Sequence, residues 1–167
     1  MVLWFVGLAP VIVWFVFRDP ALDHRLVAAG ALLPLLDLLW RDVPVLHTLA
    51  ASVLLLVAVM VLTRGRRHGR RRLLAIPIGT FLHLALDGVW TSATAFWWPL
   101  LGDEIAEGAV GVLERPLALN VAMELAGVAG LVWFSARFGL GDRGRRAVFL
   151  RTGRLDRALA GPPAIRG

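Results

Sequence analysis

The chain has 167 residues, 58% of them hydrophobic, and a mean hydropathy of +0.72. A soluble domain of this size has too little interior for so much apolar side chain, so the composition points to an integral membrane protein. The net charge of +6 comes wholly from arginine, and the absence of cysteine excludes disulfides, thiolate metal sites and cysteine nucleophiles.

The hydropathy pattern predicts five spans, at about 2–17, 25–40, 46–63, 73–91 and 116–137. The first carries no basic n-region and no clear cleavage site, so it reads as a retained span. The first two are short for a hydrocarbon core of ~30 Å and need tilt, flanking residues or local thinning. Pro10, Pro34 and Pro77 are expected to kink their helices, and Pro116 to open the fifth. The expected fold is therefore all-α: a transmembrane helical bundle over 1–140, followed by a basic cytoplasmic tail over 141–167. In that tail RRAVFLRTGRLDRAL is mildly amphipathic and suits the inner leaflet, while AGPPAIRG reads as disordered.

Arginine placement predicts the orientation. Five spans put 16 of the 18 arginines on one side, leaving Arg41 and Arg115 on the other with most of the loop acids. The N-terminus is then outside and the C-terminus cytoplasmic, in a multi-pass protein of the cell membrane. The bilayer, with its anionic lipid, accounts for the basic runs, and no nucleic-acid partner is expected. Phe96, Trp97 and Trp98 fit an external interfacial belt, or a lid over a site.

The polar residues inside the spans carry the functional signal, because a charge at membrane depth is costly and usually faces a protein interior. They are Asp37, His83, Asp87 and Glu124, with His47 at the start of the third span. His83 and Asp87, four residues apart, share one helix face. At ~1.5 Å per helical residue all five fall in the outer half of the membrane. Each also has a bland reading. His83 and Asp87 can form a structural hydrogen bond, and Asp37 can be neutral or paired with Arg41. His47 can be a solvated surface histidine, and Glu124 an acid paired within the bundle.

Gly30–Ala31–Leu32–Leu33–Pro34–Leu35–Leu36–Asp37, His47–Thr48, Gly79–Thr80–Phe81–Leu82–His83–Leu84–Ala85–Leu86–Asp87 and Trp98–Pro99 stand in a telling order. Over about residues 22–101 this order resembles the membrane-bound metal-dependent hydrolase family that includes LexA-regulated bacterial inner-membrane proteins. That family carries G-x-L-L-P-D-x-D, His-Ser/Thr, G-x-x-S-H-x-x-x-D and W-P. It is itself distantly similar to zinc-dependent phospholipase C. The resemblance implies a divalent metal and phosphoester hydrolysis. Two positions depart from the pattern: Leu35 stands where the family has its first acid, and the first span has no histidine.

Two functions follow. In the first, Asp37, His47, His83 and Asp87 bind one divalent ion, with zinc the best match to mixed imidazole and carboxylate donors. Glu124 then serves as general base or extra ligand. The substrate would be a phosphoester or lipid headgroup near the outer leaflet. In the second, a non-enzymatic membrane protein keeps the fold with a degenerate metal site, as a scaffold or interaction partner. If the first holds, the donors of Asp37, Asp87, His47 and His83 must face a common centre, approached by Glu124 from the fifth helix, with Leu35 turned away or capping it.

Overall fold

The computed structural model describes residues 1–39, 45–100 and 115–159, and among these every regular element is helical. The α-helices are α1 (Val2–Phe17), α2 (His24–Leu32), α3 (Leu49–Leu62), α4 (Arg67–Leu73), α5 (Ala75–Asp87), α6 (Ala93–Phe96), α7 (Leu117–Arg137) and α8 (Arg143–Thr152). Side-chain caps set several starts: Asp23 accepts from Leu26 N–H, Thr48 from Ala51 N–H and Asp142 from Arg145 N–H. Each such cap stabilises its helix by ~1 kcal/mol.

Two of the expected spans break where the sequence carries a breaker. The second is α-helical only to Leu32 and continues as a 3-10 helix over Leu33–Leu39, because Pro34 has no N–H to donate. The fourth ends at Asp87, where Gly88 turns left-handed (φ 72°) before a short 3-10 turn over Val89–Thr91. The arginine-rich 64–72 stretch, read as a loop, contains α4. Among the described residues only α7 is long and apolar enough by itself to cross a membrane, while α1 and α3 are shorter apolar helices.

The bundle is built from two close helix pairs. In the first, α2 and α5 run parallel: Arg72 meets Asp23 at the start, and His83 meets Ala31 farther on. A Cβ on Gly79 would lie 2.1 Å from Val27 O, so only glycine admits this approach. In the second pair, α1 and α7 run parallel, Glu124 lying beside Leu3 and Trp133 stacking on Phe15. A Cβ on Gly127 would lie 2.2 Å from Leu3 O. Phe5, Ala9 and Val13 of α1 join the pairs, packing with Val27, Ala31 and Ala75 into one core cluster.

Opposite ends of the bundle differ in chemistry. One end gathers Asp37, His47, His83, Asp87 and Arg115, with Phe5 stacked on His83. At the other, Trp14, Phe134, Phe138 and Leu155 form a second cluster beside the buried His24. The segment after residue 140 is not free of the bundle. His24 N–H donates to Gly153 O and Leu155 N–H to Pro20 O, so α8 and the turn that follows are docked. Residues 160–167, expected to be disordered, lie outside the described residues.

Candidate metal centre

His47 closes a short 3-10 turn (Val45–His47) just before the Thr48 cap of α3. Its backbone N–H donates to Asp37 Oδ2 at 3.1 Å, and its Nδ1 lies 2.9 Å from the same oxygen. A carboxylate oxygen that accepts from Nδ1 fixes the proton there and leaves the lone pair on Nε2. Both residues are buried, His47 at 1% exposure and Asp37 at 7%.

His83 stands on α5 under the same constraint. Its Nδ1 lies 2.6 Å from Ala31 O, and a carbonyl can only accept, so here too the proton sits on Nδ1 and the lone pair on Nε2. Phe5 stacks on the ring with centroids 3.9 Å apart, closing it from the α1 side. The His47 and His83 rings meet nearly edge-on, centroids 5.1 Å apart. One turn beyond, Asp87 Oδ1 accepts from Arg115 Nη1 at 3.0 Å. Arg115 Nη2 also donates to the Asp87 backbone carbonyl, one of the unpaired carbonyls at the end of α5.

One donor atom from each of His47, His83 and Asp87 lies within 4.8 Å of the other two, and all three residues are buried. Each of the three also keeps one buried atom without a hydrogen-bond partner among the described residues: His47 Nε2, His83 Nε2 and Asp87 Oδ2. Two imidazole lone pairs and a carboxylate oxygen in one buried cluster are therefore left with no donor. Leaving such groups unpaired costs ~1–3 kcal/mol each, whereas a cation between them would satisfy all three. Their outer atoms are already held, by Asp37, by Ala31 O and by Arg115. Metal-binding imidazoles are oriented in this way. The residues present fit a divalent cation.

The arrangement departs from the sequence expectation at two residues. Asp37 belongs with the cluster but is not in the three-donor group; its Oδ2 is taken by His47, so it orients a donor rather than facing the common centre. The reason is the 3-10 path through Leu33–Leu39, which delivers Asp37 to the outer side of the His47 ring. Glu124 is not in the group either. Its Oε2 accepts from Leu3 N–H at 3.0 Å and its Oε1 lies 3.3 Å from the Met1 amino group, so it satisfies the start of α1. The α1–α7 pairing thus turns it toward α1 instead of the histidines. Leu35, in place of the family's first acid, packs against the core cluster that contains Phe5. Arg41, the alternative partner of Asp37, lies outside the described residues.

Two contributors had no reading in the sequence beyond topology. Arg115 had a signal, as one of only two arginines on the acidic side, placed just before the Pro116 helix start. Phe5 had none, since an aromatic residue in an apolar helix carries no mark of what it stacks on.

A largely apolar groove of about 420 Å³, with Ser52 the polar residue in its lining, runs between α1, α3 and α5. In its lining Leu82 is next in chain to His83 and Leu49 stands two residues after His47, while Leu56 and Phe17 line it farther away. Compared with family models, curated proteins and solved structures, the chain matches none.

Proposed function

We propose that this protein is a membrane-embedded, metal-dependent hydrolase whose single divalent ion, zinc by donor type, is held by His47, His83 and Asp87. The observation that carries this reading is a buried group of three residues whose donor atoms come within 4.8 Å, each with one unpartnered atom and the opposite atom anchored. In such a site a bound divalent ion supplies Lewis acidity and an acidified water, the chemistry of phosphoester cleavage. Asp37 holds the His47 tautomer, Ala31 O holds that of His83, and Arg115 positions Asp87 while offering positive charge to an anionic substrate.

Membrane embedding is supported by what the helices expose. Only 17% of the most apolar stretch of α7 is buried, and Leu54, Leu62, Leu117, Leu125 and Val132 are all more than 60% exposed. A soluble monomer rarely leaves so many large apolar side chains bare on two helices. The metal donors and the arginine-rich elements lie at opposite ends of the bundle, so arginine on the cytoplasmic side would put the donors at the outer end. The apolar groove, lined by residues close in chain to His47 and His83, suits the acyl chain of a lipid whose headgroup ester would lie at the metal.

The test is metal content with a structural control. Purified in detergent, the wild type should carry about one equivalent of zinc or a similar ion. The double variant His83→Ala, Asp87→Ala should carry none while still inserting. A wild-type protein that takes up no divalent ion even when loaded would instead favour the non-enzymatic bundle. That second reading draws on Leu35 and on the three-donor set, one short of a full structural zinc site.

A further inference from the structure

At the far end of the bundle lies a cavity of about 290 Å³ lined by Asp23, Arg71, Arg72, Arg151, Thr152 and Arg154. It is assembled from three separate pieces of chain: the turn before α2, the end of α4, and the end of α8 with its following turn. Asp23 is its keystone. Only 2% exposed, it accepts from Arg25 Nε at 3.1 Å and Nη2 at 3.0 Å and from Arg72 Nε at 3.1 Å. Arg25 also donates to Leu150 O, tying α8 to the same carboxylate. Gly153 completes the seam: a Cβ there would lie 1.6 Å from Asp23 Oδ1, and its φ of 69° is a glycine conformation.

The charges around this cavity do not balance. Asp23 holds Arg25 and Arg72, and Asp19 pairs with Arg71 at 2.5 Å. Burial pulls both carboxyls up, yet the arginine hydrogen bonds and charges outweigh it, and both stay below the ordinary carboxylate range. They therefore remain ionised and count fully. Arg151 and Arg154 have no ion pair among the described residues. The lining itself carries four arginines (Arg71, Arg72, Arg151, Arg154) against one aspartate, Asp23, an excess of three positive charges, and the flanking Arg25 and Asp19 cancel. Arginine density alone would follow from topology, but a buried acid that holds two guanidiniums, one of them in the cavity lining, would not.

We propose that this cavity is a binding site for a phosphate group, presented either by an anionic phospholipid headgroup or by a free phosphate. Guanidiniums match phosphate oxygens in paired hydrogen bonds, and Asp23 and Asp19 pre-set the side chains that would make them. The site stands at the opposite end from the metal donors and does not depend on hydrolysis.

The experiment compares two variants of equal charge loss in the full chain, held in neutral phosphatidylcholine nanodiscs. Arg151→Gln, Arg154→Gln removes the unpaired arginines of the cavity; Arg143→Gln, Arg146→Gln removes two exposed arginines of α8 outside it. Inorganic phosphate and short-chain phosphatidylglycerol are titrated separately at ~0.15 M salt, where general attraction is largely screened. The cavity variant should lose at least tenfold in affinity and the control less than twofold. Phosphatidylglycerol binding tenfold tighter than phosphate would assign the headgroup as ligand, and equal affinities would assign the phosphate group alone. Equal losses in the two variants, or no saturable binding of either probe to the wild type, would overturn the proposal.

Discussion

Asp37 Oδ2 accepts both the backbone N–H and the ring Nδ1 of His47, at 3.1 and 2.9 Å, so one carboxylate oxygen fixes a histidine's position and its tautomer together. The consequence is a graded set of effects. His83→Ala removes a donor and should abolish metal binding. Asp37→Asn keeps a hydrogen-bonding group but weakens the hold on the ring. It should lower metal affinity by ~10–100-fold without abolishing it, as read by competition with a chelating dye. Loss of all binding in Asp37→Asn would place Asp37 among the ligands.

Arg115 neutralises a carboxylate that is 3% exposed. Replacing it with methionine leaves Asp87 uncompensated, and the metal-free protein should lose roughly 3 kcal/mol of stability. A divalent cation supplies the missing charge, so added zinc should restore most of the melting temperature in Arg115→Met and raise that of the wild type less. Equal shifts in both proteins would separate Asp87 from the metal.

Gly79→Leu tests the approach of α2 and α5. The backbone of Val27 stands 2.1 Å from the added Cβ and cannot rotate aside as a side chain would. The helices must part, which costs ~1–3 kcal/mol or more and pulls His83 away from Ala31 O. Metal binding should fall with stability, whereas Leu125→Ala, on the exposed face of α7, should leave metal binding unchanged.

The carboxyls of Asp19 and Asp23 lie below their ordinary range in the folded protein because their arginine partners outweigh burial. A depressed folded pKa means stability that is fully present above the unfolded value and lost as pH falls through the folded one. The far end should therefore hold its docking of α8 at neutral pH and release it only well below pH ~4. Proteolysis after residue 140 as a function of pH reads this directly, and Asp23→Asn should expose the same cleavage at neutral pH.

Orientation is checked with single cysteines, since the chain has none of its own. An impermeant thiol reagent applied to intact cells should label Thr94→Cys and leave Arg146→Cys unlabelled. The reverse pattern would invert the bundle.

The sequence by itself determined the all-helical class, because apolar runs without strand-like alternation or cysteine constraints leave little else. It also singled out Asp37, His47, His83, Asp87 and Glu124, because a polar group in or beside an apolar span demands a reason wherever it points. Spacing along one helix is local, so the shared face of His83 and Asp87 was legible in advance. What lies between helices was not. The glycine approach that brings Ala31 O to His83, the 3-10 path that swings Asp37 behind His47, and the return of Arg115 to the end of α5 are decided by packing across 10 to 52 residues of chain. Depth arithmetic placed Glu124 at a suitable level but carried no information about rotation, and the close α1–α7 pairing turned it to the start of α1. The division of roles between donor and orienting residue is likewise tertiary, because an aspartate reads the same in sequence whether its oxygens face an ion or the far nitrogen of an imidazole.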